Sequence, residues 1–542
     1  MFRICTRSCD LASSGTCMNK IKKWFLYSLD LGIIISFFSI LLILLSGGIK
    51  IKSIGFAVDG FSRPCILFGI FLLIRKVFYG RAYDSSGLIG KLILFVENYP
   101  IKRTQVFVFL ISMCLFLIID FRVLPKCGLT GDEPHFLIIT SSIVKDGDLN
   151  LKNNYSDRNY SDFYQYDLPP HSKVCNDTKI YSAHSIGLPV LMIPGYYFAG
   201  RYGASYTMMI LFSLLTVVMF SICYSVTKKK ILSLGLSFLM AFTIPIVLYS
   251  AQLYAETPAA VIVALISAFL LGENKAHARR SGFVFVWILI AFLPWIHVRY
   301  IYFSIIFLVL AGFKYKTKDI APAIVLSAIS VLTLLFYMRV FYGEYSLTAQ
   351  YHKIDAGARY FIKGLMGNFI DSRFGLLLYS PFYIFMAAGA YVFYKREKKL
   401  FFAWSVLVVP FIIGISLYGD WYGGMCPPLR YMLPVVPLFI VPLGILCVNC
   451  KDKIFYAIFC GLVCLSLLVK NMIVENPLLM YNDPAEKMKL LEYISKKYVD
   501  ITFLFPTLFN PSTNDCWKIA GWIVFLFYLS IHGRKYLVKS AR

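Results

Sequence analysis

The chain has 542 residues, 58% of them hydrophobic and 15% charged, with a mean hydropathy of +0.69. Soluble domains run nearer about 45–50% apolar and about a quarter charged, so this composition excludes a water-soluble enzyme, a disordered chain and a nucleic-acid binder. The formal charge of +25 then poses a question of membrane orientation, and no nucleic-acid partner is expected.

Apolar stretches long enough to cross a bilayer, or nearly so, run over 24–46, 56–79, 105–121, 204–226, 231–250, 255–272, 282–297, 299–313, 319–341, 375–394, 400–418, 429–449, 453–470 and 517–532. They predict an all-α polytopic membrane protein with about 14 transmembrane helices, within a range of roughly 11–14. The pair at 282–313 reads equally as one long helix, because only His297 and Arg299 divide it. The first span lacks a small-residue cleavage site, so no cleavable signal peptide is expected. Met18, just ahead of Asn19-Lys20-Ile21-Lys22-Lys23, stands as an alternative start. Asp30 falls in the inner half of the first span and has no assigned role.

Lys and Arg set the orientation. With the N-terminus inside and the helices alternating, inner segments hold 30 of the 54 basic residues and 7 of the 29 acids. The inner net charge is then +23 against +3 outside, a positive-inside pattern. Both termini are expected in the cytoplasm of an inner-membrane protein, with 121–203, 342–374, 419–428 and 471–516 outside. The opposite arrangement would expose Lys228-Lys229-Lys230 and Lys395-Arg396-Glu397-Lys398-Lys399. In the first outer segment, Asn153 to Tyr160 is too polar for lipid. Its end, Ile186 to Gly200, is apolar but interrupted by Pro189, Pro194 and Gly195, and reads as half-inserted or surface-lying. No internal repeat of the transporter kind is present.

The 14 cysteines form no framework, since most lie in the N-terminal tail or in apolar stretches. Cys447 and Cys450 make a CxxC with no second pair or histidine cluster beside it, which argues against a metal or redox site. Cys127 and Cys175 flank the acidic motif of the first outer loop and are predicted to pair, with Cys426 and Cys516 as other partners.

That motif is Gly131-Asp132-Glu133-Pro134-His135-Phe136, opening an amphipathic stretch about ten residues after the third span. One acid beside Pro134 is an ordinary helix cap. Two acids and a histidine in one turn also supply a general base or a cation site, as activation of a hydroxyl requires. The sequence leaves cap and catalyst both open. Trp421 and Tyr422, between Asp420 and Gly423-Gly424, offer faces for a sugar, as do Tyr155, Tyr160, Phe163, Tyr164 and Tyr166, although an interfacial aromatic belt explains most of these.

An Asp-Glu pair in the first large outer loop, followed by a juxtamembrane helix, resembles the GT-C superfamily of membrane glycosyltransferases. His184-Ser185-Ile186-Gly187-Leu188-Pro189 with Pro194, Ala255-Glu256-Thr257-Pro258, and Asp420-Trp421-Tyr422-Gly423-Gly424 with Arg430-Tyr431 resemble further motifs of that superfamily, in the same order. The resemblance covers roughly residues 105–445. The chain departs from it before residue 105, with three helices ahead of the acidic loop where one is usual. The organisation implied is 1–104 as a tail with two extra helices, 105–449 as the catalytic module with outer loop 121–203, and 450–542 as C-terminal helices with outer loop 471–516.

The resemblance implies transfer of a sugar from a polyprenyl-phosphate carrier to a lipid, glycan or protein acceptor on the outer face. No Gly-rich phosphate loop is present, as an outer compartment without nucleotide sugars would require. Asp132 would be the base, with Glu133 orienting it or binding a divalent cation, the one cofactor contemplated. A leaving phosphate needs cationic donors, for which Arg299, Arg430, Lys173, Arg359 and His184 are candidates, with His297 as a hydrogen-bond donor. Snorkelling or headgroup contact is the structural alternative for each. Arg299 stands out, because a charge within an apolar run is expensive. Sugar or acceptor contacts fall to His135, Glu256, Trp421, Tyr422 and Asp420. A polymerase or ligase of surface polysaccharide is the alternative enzyme, and a flippase or transporter of lipid-linked glycans the alternative outside enzymes. Few mid-span charges and acids clustered in outer loops favour surface chemistry over passage.

Overall fold

The computed structural model describes residues 87–271, 280–351, 355–482, 488–509 and 511–538, and before them 25–40 with residues 43, 49–51, 56–58, 67, 70, 71 and 74. Met18 lies outside the described residues. The chain is an all-α polytopic membrane protein whose described strands form two small hairpins. Its contacts divide it into residues 1–104 and 105–542. The first unit holds α1 (Phe25–Ile40), the paired strands β1 (Ile49–Ile51) and β2 (Phe56–Val58), and α2 (Leu88–Asn98). Asp30 gains a role there: it is buried and accepts from the backbone N–H of Ile89 at 3.4 Å, in the first turn of α2.

α3 (Ile101–Val123) carries the chain from the first unit into the second, which continues with α4 (Glu133–Lys145) and the hairpin of β3 (Ser172–Cys175) and β4 (Ile180–Ser182). Then come α5 (Gly187–Thr227), α6 (Lys230–Ala241), α7 (Glu256–Leu271), α8 (Arg280–Ile296), α9 (Ile301–Lys314) and α10 (Thr317–Tyr342). The chain continues through α11 (Phe361–Ile370), α12 (Met386–Arg396), α13 (Lys398–Ser416), α14 (Ile440–Asn449) and α15 (Lys453–Glu475) to α16 (Thr513–Val538). Among the described residues, α3, α5, α10, α13 and α15 are long and apolar enough to cross a membrane. The core of the unit lies where α5 packs on α6, α7 and α4, and where α14 meets α5 and α12.

Several expected spans are broken, and the breaks have chemical causes. The stretch 231–250 ends as a helix at Ala241 and resumes after Pro245 as a short 3₁₀ turn. Pro381 and Pro437 likewise open 3₁₀ turns inside 375–394 and 429–449, since proline removes an amide donor and blocks the preceding turn. The 282–313 stretch is two helices. His297 is extended (φ −166°, ψ 139°), and its Nδ1 accepts from the Arg299 N–H at 3.2 Å, starting the next turn.

The apolar end of the first outer loop folds back on the helix that follows it. Ala199 and Gly200 leave the helical region within α5 (Gly200 φ +54°), so 187–198 turns against the helix continuing from 201. Gly195 and Gly203 meet backbone to backbone there, and a Cβ on either would strike the other's carbonyl oxygen. Gly203→Ala is therefore expected to destabilise by about 1–3 kcal/mol through overpacking. Gly461→Ala, with open space around it in α15, should be neutral or slightly stabilising. Thermal unfolding of the two variants in detergent measures the difference.

Candidate active site

The acidic motif folds as a tight turn into α4. Gly131 sits at φ +55°, and a Cβ there would lie 2.9 Å from the Met425 carbonyl oxygen and 3.0 Å from the Tyr254 hydroxyl. Glu133 pins this turn: its Oε2 accepts from the Thr130 N–H at 2.9 Å and its Oε1 from the Leu253 N–H at 3.0 Å. Pro134 fills the first turn, where no amide donor is needed. Asp132 occupies the N-cap position, yet its side chain caps nothing. Its Oδ2 instead accepts from Arg430 Nη2 at 2.6 Å. The cap reading of Asp132 therefore fails.

Arg430 joins Asp132 to a second acid. Its Nε lies 3.1 Å from Oε2 of Glu256, at the start of α7, and its Nη1 donates to the Gly423 carbonyl at 3.3 Å. The other oxygen of Glu256 accepts from Arg299 Nη2 at 2.7 Å. Each guanidinium lies 4.4 Å from a tyrosine ring, Arg430 over Tyr254 and Arg299 over Tyr431. Glu256 is fully buried. Charges so placed persist only when paired, and here two acids answer two arginines. The pairing is tight but incomplete, because Nε of both arginines and Oε2 of Glu256 are buried without a hydrogen bond. Leu429, before Arg430, takes the left-handed φ of +68°, a strained conformation for leucine.

The environment drives the two motif acids apart. Burial alone would raise the Asp132 carboxyl, but the Arg430 charge and hydrogen bond outweigh it and hold the group well below the usual carboxylate range. Burial pushes Glu133 up to about 7 against the backbone donors that oppose it. Asp132 is thus the constantly ionised partner, and Glu133 a structural acid that can hold a proton near neutrality.

Three histidines stand beside Asp132. His171 Nδ1 is 3.0 Å from His184 Nε2, and the His135 ring stacks on His184 at 5.4 Å. Ligand atoms of Asp132, His171 and His184 all lie within 4.8 Å of one another. Burial lowers His184 to about 3 and His135 to about 4, so both imidazoles are neutral at physiological pH. A carboxylate with two imidazoles is a donor set suited to a divalent transition metal, so Asp132, His171 and His184 fit such an ion. His135 is turned from the triad by its own contact, Nδ1 to the Tyr155 hydroxyl at 3.0 Å.

The fold thus gathers Asp132, His135, His184, Glu256, His297, Arg299 and Arg430 from the residues expected by sequence, with Glu133 in the same turn as Asp132, and leaves Lys173, Arg359, Asp420, Trp421 and Tyr422 apart. Lys173 pairs with Glu344 at 3.5 Å and Arg359 with Asp355 at 2.6 Å, both partly in solvent. Trp421 is 1% exposed, set against Gly367 and stacked on Phe509, so it offers no face to a sugar. Tyr422 donates to Asp420 Oδ1 at 3.0 Å and packs against Phe374, outside the charged cluster. The expected Cys127–Cys175 disulfide is absent and both thiols are free: Cys175 points out at the end of the β3–β4 hairpin, while Cys127 is half-buried. Cys426 and Cys516 are free as well.

His297 stacks on Tyr351 at 5.0 Å, and the Tyr351 hydroxyl is 2.9 Å from Ser185 Oγ, next to His184. His171, Tyr254 and Tyr351 escaped the sequence reading. Tyr254 stands two residues before Glu256 and was reachable by widening that motif, whereas His171 lies in a polar loop with no local signal.

No protein-family model and no curated protein matches the chain. Two crystal structures of ArnT from Cupriavidus metallidurans are similar to it. The one bound to undecaprenyl phosphate has a TM-score of 0.46 at 12% identity over 83% of this chain and 73% of that one. The apo structure has a TM-score of 0.46 at 13% identity over 82% and 72%.

The donor set yields a measurable expectation. Purified protein dialysed against Zn²⁺ or Mn²⁺ should retain close to one ion per chain by elemental analysis, and His171→Ala should lower the affinity by at least about tenfold. Equal retention by the variant and the parent would remove His171 from the site.

Proposed function

We propose that the protein transfers a sugar from a polyprenyl-phosphate carrier to the hydroxyl of an acceptor, on the outer face of the cytoplasmic membrane. One observation carries this reading: an ionised carboxylate, unused as a cap, is fixed by a buried arginine at the start of a loop helix, within a cluster drawn from motifs that resemble the GT-C superfamily. The positive-inside charge pattern supports the outer placement. The acceptor is a lipid, a glycan or a protein.

The chemistry balances on these groups. The acceptor hydroxyl donates to Asp132 and gives it the proton as its oxygen bonds the anomeric carbon. The bond from that carbon to the carrier phosphate breaks, and the electron pair leaves with the phosphate. Arg299, whose Nε has no partner, supplies a donor for the developing charge. Arg430 is a positioning residue, since its fork is occupied by Asp132, Glu256 and the Gly423 carbonyl. A divalent cation held by Asp132, His171 and His184 would add Lewis-acid charge beside the acceptor oxygen. Lys173 and Arg359, held by other acids, have no part in this step.

Incubation with a panel of polyprenyl-phosphate sugars should release free carrier phosphate. Asp132→Asn should fold, because Asn keeps an acceptor for Arg430, yet lose roughly 10²–10⁴-fold in rate. Near-normal transfer by the folded variant would remove Asp132 from the chemistry.

A pH profile tests the role of Arg430. The depressed Asp132 value means that the base and its ion pair persist above the ordinary carboxylate pKa of about 3.9 and are lost as pH falls through the lower folded value. In Arg430→Gln the raising effect of burial is unopposed by that charge. The acid limb of kcat/KM should then move to higher pH, and an unmoved limb would disprove the coupling.

A further inference from the structure

A cavity lies beside the charged cluster's loop, lined by residues outside that cluster. It encloses about 680 Å³, within the size range of small-ligand sites, between the end of α4, the loop 161–166 and the turn 196–202. Tyrosines dominate its walls, among them Tyr164, Tyr196 and Tyr202. Such rings combine flat apolar faces with hydroxyls, the surface that the C–H and O–H groups of a sugar ring require. Lys145 and Asp162, both lining residues, pair with each other at 3.1 Å and fasten the loop to the end of α4.

Arg201 is the lining cation that the ion pair leaves over. Its Nη2 donates to the Cys127 carbonyl at 3.3 Å, and its Nε is buried without a hydrogen-bond partner. Its charge acts on Glu133, an acid already occupied by two backbone donors. A guanidinium with no ion pair among the described residues, set among tyrosines, favours an anionic ligand over a neutral one.

The position of the cavity fits an amphiphile. Turn 196–202 leads into the membrane-crossing part of α5, and Tyr197 and Phe198 project from it at 71% and 85% exposure. Aromatic side chains so exposed at the end of a span belong at the bilayer surface. The wall residue Leu129 is three residues from Asp132, so the chain separates their Cα atoms by no more than about 11 Å. The cavity wall and the carboxylate therefore belong to one short stretch of the loop.

We propose that this cavity binds an acidic saccharide head group carried on a membrane-anchored acceptor, with Arg201 taking its negative charge and the tyrosines its rings. This names the acceptor class for the transfer proposed above and rests on that reading. The binding itself can be measured without any sugar donor.

The full chain in lipid nanodiscs is titrated calorimetrically with three amphiphiles of equal chain length: dodecyl β-D-glucuronide, neutral dodecyl β-D-maltoside, and dodecanoate. The glucuronide should bind at least tenfold more tightly than either of the others. Arg201→Gln should abolish its advantage over the maltoside, and Arg201→Lys should keep most of it. Tyr164→Ala should weaken both sugar amphiphiles and leave dodecanoate unchanged. Equal binding of all three, or a preference that survives Arg201→Gln, overturns the proposal. Equal loss of thermal stability in both Arg201 variants, with no change in preference, makes Arg201 a structural residue and also overturns it. Release of carrier phosphate is scored separately, so failure of transfer and failure of this site are read in different experiments.

Discussion

Glu256 is shared between two arginines in the protein interior, and much of the surrounding backbone follows from that arrangement. An unpaired buried charge costs several kcal/mol, so Arg299 and Arg430 must both reach this carboxylate. They come from distant parts of the chain. Arg299 arrives because the apolar run 282–313 breaks at His297, which caps its own successor turn. Arg430 arrives from a loop whose preceding residue, Leu429, is held in a strained conformation. The second acid, Asp132, then meets the free end of Arg430, and the start of α4 is placed by the same contact. Irregular backbone at these junctions is what allows charges from three segments to converge.

The two adjacent acids of the motif illustrate how one turn can hold opposite chemistries. Glu133 faces inward and spends both oxygens on backbone donors, which makes it part of the scaffold. Asp132 faces the histidines and Arg430, with 26% of its side chain exposed, which leaves it open to a ligand. A single residue's difference in direction along the helix start separates an acid spent on the backbone from one left partly exposed. His135 and His184 reinforce the division, because burial lowers both and keeps them neutral beside the ionised Asp132.

The helical, membrane-spanning character was legible because composition and the length of apolar runs respond to the bilayer directly. The breaks were less so, since Pro245, Pro381 and Pro437 lie within runs whose hydropathy scarcely changes across them. At the site, a charge inside an apolar run (Arg299) and short motifs (Asp132, His184, Glu256, Arg430) identified residues that the fold assembles. Lys173 and Arg359 looked equally available, yet each has a private acid that no sequence pattern announces. Trp421 looked like an exposed platform because its neighbours are polar and flexible. It is buried because a distant segment supplies Phe509 and because Gly367 leaves room for its ring. His171 joins the cluster only through the tertiary placement of the β3–β4 hairpin.

The balance of two acids against two arginines also bears on how this sequence can diverge. Loss of Glu256 alone would strand Arg299 and leave Arg430 with Asp132 alone, and loss of Arg299 alone would leave one oxygen of Glu256 without its partner. Replacement of both by neutral residues of similar volume removes the imbalance in a single step, as with other buried ion pairs exchanged for apolar packing. Positions 256 and 299 are therefore bound to a common history: in descendants of this chain they should be kept together or lost together. Position 430, which answers two acids, should be the slower to change.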